Sequence, residues 1–224
     1  MSILAFAAVS FAFFQTASAD FAAREATRLD TCIARIDENP EEAYEDALAW
    51  SFEGNRPGSR QCVALSLIAL GQEAEGAARL EELANATDGG TLEQRALYLT
   101  QAGNAWLVAG APEAAIVTIS NALKIIPNDP DLLVDRASAH IMLEQWTQAV
   151  SDLDAALESA PGFGTAHHLR AEARLNTGDL DMALADVKAA MQAEPDNIDT
   201  LVLRGRVREA IRLSEVRIVA PQAE

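Results

Sequence analysis

The sequence predicts an all-α protein built from tandem antiparallel helical hairpins, and three observations predict it. Pro127, Pro161 and Pro195 stand 34 residues apart, as do Ala115, Ala149 and Ala183, and Ala122, Ala156 and Ala190. Apolar columns keep the same register: Ile116/Val150/Leu184, Ile119/Leu153/Val187, Leu123/Leu157/Met191 and Leu107/Ile141/Leu175. Finally, hydrophobic residues make up 50% of the chain but aromatics only 5%, with alanine recurring throughout, a composition that favours close-packed helices over sheet. A fixed period of this length marks stacked repeats in which each unit buries its apolar face on its neighbour.

Residues 1–19 read as a segment of their own. Met1 to Phe14 is apolar apart from two serines, and Ala17-Ser18-Ala19 precedes Asp20. An apolar run closed by a small-x-small triplet is the pattern of a cleaved secretory signal, although no Lys or Arg precedes it. The alternative is an uncleaved anchor, for which the run is short. The expectation is therefore an exported chain, placed in a bacterial periplasm by its short, plain signal, with no membrane insertion after cleavage. In an oxidising compartment Cys32 and Cys62 form a plausible disulfide, whereas in cytosol they would be ordinary thiols.

Residues 20–95 read as divergent hairpins. Phe21–Asn39 and Pro40–Glu53 make one helical pair, joined at Asn39-Pro40 and closed by Gly54-Asn55-Arg56-Pro57-Gly58. Pro57 to Gly90 makes a second, broken at Gly71, and Thr91 to Arg95 reads as a five-residue insertion before the regular array. Residues 96–197 then hold three units of 34 residues, namely 96–129, 130–163 and 164–197. In the first, helical spacing runs from Ala96 to Val108, Gly110 breaks it, and a second helix reaches about Ile126. Proline ends the second helix of each unit because it cannot continue a helical ladder. The small column Gly103/Ala137/Ala171/Gly205 extends one step further, into a capping helix at 198–214 followed by a tail at 215–224.

These units resemble the tetratricopeptide repeat family, on Gly103, Trp106, Gly110, Ala115, Ala122 and Pro127 and their counterparts downstream. His140 and Arg174 depart from it at the aromatic column, His167 at a large apolar position, and Glu144 at the glycine of the turn. The resemblance implies a right-handed solenoid whose concave face, lined by the first helix of each hairpin, binds protein or peptide. It assigns partner contacts to Thr100, Val134, His168 and Val202, to Gln101 and Asp135, and to Asn104, Ser138, Glu172 and Arg206. Members that clamp a terminal carboxylate use lysines and asparagines there. These columns have no lysine, so that binding mode does not carry over, and a partner with basic and apolar character fits better.

The chemistry of the remaining residues points the same way. A net charge of −17 excludes a nucleic-acid footprint, which needs clustered Lys and Arg. No H-E-x-x-H, phosphate-cradling glycine loop or G-x-S-x-G occurs, and the three histidines lack zinc-ligand spacing, so no enzyme activity, cofactor or metal is expected. Arg136, Arg170 and Arg204 form a column. Asp152 and Asp186 each lie sixteen residues after one arginine and eighteen before the next, which predicts a ladder of ion pairs, with each carboxylate between two guanidiniums. The expected function is an exported scaffold or adaptor. The alternative is a structural subunit of an envelope complex that buries its convex face or terminal helices.

Overall fold

The computed structural model describes the backbone of residues 4–219 and the side chains of residues 20–216. The first three residues of the expected signal segment, all of its side chains, and residues 220–224 of the tail lie outside this description. The described residues form eleven helices and no strand, an all-α helical repeat solenoid. The chain divides into two compact units, residues 1–98 and 99–224.

The first unit contains α1 (Leu4–Glu38), α2 (Pro40–Phe52), α3 (Pro57–Ala69), α4 (Glu73–Asn85) and the start of α5 (Leu92–Val108). The local signals act where chemistry places them. The Asn39 side chain accepts a hydrogen bond from the Glu42 backbone amide, Pro40 supplies the fixed φ of the first turn, and Glu41 and Glu42 face the positive end of the helix dipole. Cys32, Ala47, Trp50, Cys62, Val63 and Leu67 form its core. Cys32 and Cys62 are joined in a disulfide with Cα atoms 6.1 Å apart. Closing a loop of that length stabilises by about 3–4 kcal/mol in the chain-entropy estimate. Outside the core, Arg28 pairs with Glu53 at 2.6 Å and lies over the Trp50 ring, while Arg56 pairs with Glu25 at 2.7 Å.

The five residues Thr91 to Arg95 are taken into the first helix of the array. Helix α5 starts at Leu92, because the Thr91 hydroxyl accepts from the Gln94 amide and the Gln94 side chain accepts from the Thr91 amide. This reciprocal capping box satisfies two amides that would otherwise lack partners.

The second unit continues α5 and adds α6 (Pro112–Ile125), α7 (Pro130–Met142), α8 (Trp146–Ser159), α9 (Gly164–Thr177), α10 (Leu180–Ala193) and α11 (Ile198–Val219). Helix α11 runs five residues beyond the expected end of the capping helix, into the segment read as a tail. The alanine columns are where helices meet: Ala115, Ala149 and Ala183 are fully buried, as are Ile119, Leu153 and Val187 beside them. At Gly103 a Cβ would stand 2.5 Å from Ile119 Cγ1, so α5 and α6 approach as closely as they do only because that side chain is absent. In the turns, Gly110 and Gly178 take φ of 69° and 88°, and Glu144 takes 55° at the equivalent position. A non-glycine residue there costs about 1–2 kcal/mol, borne by the surrounding packing.

The arginine seam is present, with a different wiring from the one the spacing predicts. Arg136 donates to both oxygens of Asp152, at 2.8 and 2.6 Å, and to Ser120 Oγ at 3.1 Å. Arg170 donates to both oxygens of Asp186, at 3.0 and 2.6 Å, and to Asp154 at 2.6 Å. Each guanidinium thus reaches sixteen residues forward, within its own hairpin, and sixteen back, to the preceding one. Asp152 does not bridge to Arg170; Asp154 does. Asp186 binds Arg174 at 2.6 Å and His167 at 3.3 Å, and Asp152 has His140 at 3.8 Å. Arg204 is the larger correction. Sixteen residues back from it stands Lys188, a like charge, and its guanidinium lies against Met191 Sδ at 3.7 Å instead of a carboxylate.

The wiring separates the two ends of the seam energetically. Asp186 is only 3% exposed, so removing its charge leaves Arg170 and Arg174 desolvated and facing each other. Asp186→Asn is expected to lose about 2–3 kcal/mol in urea denaturation, below the full cost of a buried broken pair because Asp154 remains. Arg204→Gln is expected to stay within about 0.5 kcal/mol of the parent. Equal losses would show that the seam is merely solvated.

Candidate functional site

The first helices of successive hairpins carry the expected partner-binding residues, and the structure sorts them into three groups. Val134 is withdrawn from any partner: it is 6% exposed and packs in the core with Leu133, Ala137 and Leu153. Ser138 turns its hydroxyl back to the Val134 carbonyl at 3.0 Å, the usual way a helical serine satisfies itself. His168 is also committed, its Nδ1 lying 2.9 Å from Thr200 Oγ1, which ties α9 to α11. Thr100 and Gln101 are half-buried, whereas Asn104, Val202 and Arg206 are exposed.

Two places remain with chemistry to offer. One is Asp135 on α7. Burial pushes its carboxyl up to about 6, the neighbouring charge of Asp131 pushes the same way, and a hydrogen bond from Asn104 only partly offsets them. Asp131 lies four residues before it, one helical turn away on the same face, and is itself exposed. No cation pairs with Asp135 among the described residues, in contrast to Asp152, Asp154 and Asp186. The other is a cleft of about 190 Å³ between α9 and α11, lined by His168, Glu172, Asp199, Val202, Leu203 and Arg206. Arg206 reaches Glu172 at 3.4 Å across it. Four residues expected to face a partner thus converge, and Asp199 joins them.

Asp131 and Asp199 lie outside the expected contacts. They belong to the column Asp131/Thr165/Asp199, legible at the same period as the others, three to four residues ahead of the expected positions and therefore on the same helical face. Among the described residues no three His, Cys, Asp or Glu side chains are placed to hold a metal ion. The geometry offers the carboxylates of Asp131, Asp135, Glu172 and Asp199, the amide of Asn104 and the exposed apolar surface of Val202 along the first helices.

No family model matches the chain. RNA polymerase II-associated protein 3 of Mus musculus is 28% identical over 122 residues, which are 54% of this chain. The chain spans only 18% of that relative's length. The first tetratricopeptide domain of Spaghetti (RPAP3), solved bound to the HSP90 peptide SRMEEVD, is 27% identical with a TM-score of 0.52, covering 53% of this chain and 94% of the domain. A thermophilic tetratricopeptide protein of Thermus thermophilus is 21% identical with a TM-score of 0.54, covering 84% of this chain and 98% of that one. The hairpins, their 34-residue register and these likenesses define a helical-repeat protein. Its repeats are similar to the tetratricopeptide repeats of these proteins.

The raised carboxyl gives a pH signature. Asp135 holds its proton more tightly folded than unfolded, so the folded state binds the extra proton between pH 3.8, the ordinary value, and about 6. Its contribution to stability is therefore greatest below pH 3.8 and is lost as pH rises to about 6. Asp135→Asn is expected to stabilise the protein at pH ~7.5 by about 1 kcal/mol, a value discounted for partial exposure, and to flatten this part of the profile. Melting curves from about pH 4 to about pH 7.5 that match the parent's would contradict the assignment.

Proposed function

We propose that this chain is an exported scaffold that holds a basic, partly apolar protein segment against the first-helix face of its tetratricopeptide repeats. The observation that carries the proposal is Asp135, a half-buried carboxylate set beside Asp131 and without a cation, whose carboxyl burial pushes up to about 6. A half-buried carboxylate left without a cation is better understood as a binding group than as a structural one. Glu172, Asp131 and Asp199 add negative charge along the same face, and Val202 supplies exposed apolar surface.

The Spaghetti domain supports peptide holding as a use of this fold, and its peptide ends in glutamate, glutamate, valine and aspartate. An acidic ligand of that kind meets like charge here, so the preferred segment carries the opposite sign. Export rests on residues 1–19. Among the described residues no helix is long and apolar enough to cross a membrane.

The test uses protein recovered from the exported fraction, whose amino terminus is expected at Asp20; Met1 or Ser2 there contradicts cleavage of the signal. A labelled peptide alternating lysine and leucine pairs is titrated in, with a glutamate-leucine peptide as the control. The basic peptide is expected to bind and the acidic one not to. Reversing charge at Asp135 and Glu172 is expected to weaken binding about tenfold at low salt and less at high salt. Reversing Glu41 and Glu42 in the first unit is expected to change binding by less than about twofold. Loss of binding in the Glu41/Glu42 variant with retention in the groove variant would replace this reading with the structural-subunit one.

A further inference from the structure

Helix α11 occupies the register of a first helix, and one of its faces is unlike the same face in every regular hairpin before it. The face is a stripe at helical spacing: Leu201, Arg204, Gly205 and Arg208. In the hairpins each of these columns is covered by the hairpin's own second helix. Leu99 and Leu133, in the Leu201 column, are buried, and Gly103, Ala137 and Ala171, in the Gly205 column, are all buried. On α11, Leu201 is 37% exposed, and a Cβ at Gly205 would meet nothing within 4 Å. The adjoining face is already in use, with Leu203, Val207 and Ile211 packed on Ala171, Ala183 and Val187.

Of the two charges on this stripe, Arg208 is exposed, and Arg204 is half-buried with its guanidinium against Met191 Sδ at 3.7 Å. Arg136 and Arg170, in the Arg204 column, each hold a second-helix aspartate with two hydrogen bonds. Neither Arg204 nor Arg208 has a carboxylate partner among the described residues, in a chain with twice as many acidic residues as basic ones, 34 against 17. In both complete examples the aspartate that fills the arginine is followed directly by the branched apolar residue of the core column, Asp152-Leu153 and Asp186-Val187. The hairpins thus display the chemistry that such a face accepts.

We propose that the Leu201–Arg208 face of α11 docks one amphipathic helix of a partner protein, bearing a carboxylate directly ahead of a branched apolar residue. The carboxylate pairs with Arg204 in the bidentate geometry that arginine favours. The apolar residue enters the notch at Gly205, where Ile119 stands over Gly103 in the first regular hairpin. Helix-in-groove recognition of this kind reads apolar anchors one turn apart, and Leu201 with Gly205 supplies that spacing. The surface is separate from the acidic first-helix cleft and has the opposite charge, so it serves a different ligand.

The probe is a synthetic peptide of residues 146–159, the segment of α8 that carries Asp152-Leu153, held helical by a lactam bridge on its outer face and titrated into the full chain by fluorescence anisotropy. Saturable binding is expected. Gly205→Leu fills the notch, and because leucine is the better helix former it leaves α11 intact, as circular dichroism checks. Gly205→Leu and Arg204→Glu are each expected to weaken binding about tenfold or more, as is Asp152→Lys in the peptide, while Arg204→Glu protein with Asp152→Lys peptide recovers most of the loss. Absence of saturable binding, or binding unaffected by both protein variants, overturns the proposal. Self-association of the chain that Gly205→Leu abolishes would make the occupant a second copy and overturn it as well.

Discussion

Everything in the second unit depends on how closely its helices approach, and that approach is set by side chains too small to hold them apart. Ala115, Ala149 and Ala183 are fully buried, and at Gly103 a single added carbon would collide with Ile119. Small residues at the crossing let the flanking Ile119, Leu153 and Val187 interdigitate at interior density, where most of the stabilisation arises. Helical propensity alone would not hold segments of thirteen or fourteen residues in water. Once the crossings are fixed, the repeat of 34 residues fixes which residues face a neighbour and which face outward.

The charged groups divide according to that frame. Those between helices are satisfied: Asp152 and Asp186 are buried and hydrogen-bonded to guanidiniums, and burial, which opposes the charge of Arg170, is outweighed by Asp186 and Asp154. Two groups toward the outward faces are not. Asp135 is held half-buried without a cation, and Arg204 lies where Lys188 replaces the expected acid. Both departures from the satisfied pattern fall on surfaces where a ligand can reach them, one anionic and one cationic. Asp135 and Arg204 lie on separate faces of the array.

The fold was legible because the period is carried by residues whose roles do not depend on context. Alanine at a crossing and proline after a helix each have one physical job, so the hairpins could be placed from their spacing. The Thr91–Gln94 capping box was legible as well and would have started α5 at Leu92. The seam was only partly legible. Spacings of sixteen and eighteen both looked plausible for an arginine reaching an aspartate, and only the stagger of neighbouring hairpins makes sixteen correct in both directions. The binding face was the least legible part. Val134 shares a column with the exposed Val202, but a full hairpin stacks over one and not over the other. Environment, and not residue type, also gives Asp135 its character, through burial and then Asp131 one turn away.

The claim that close approach at the alanine columns governs the array is tested by Ala149→Leu, with Ala185→Leu on the exposed face of α10 as the control. Both changes put a larger apolar side chain with good helix propensity on a helix, and only the first puts it where a helix already stands. Urea denaturation is expected to show Ala149→Leu losing about 2–3 kcal/mol through overpacking, with Ala185→Leu within about 0.5 kcal/mol of the parent. If Ala149→Leu costs no more than Ala185→Leu, the hairpins have room that this account says they lack, and something other than close approach sets the repeat.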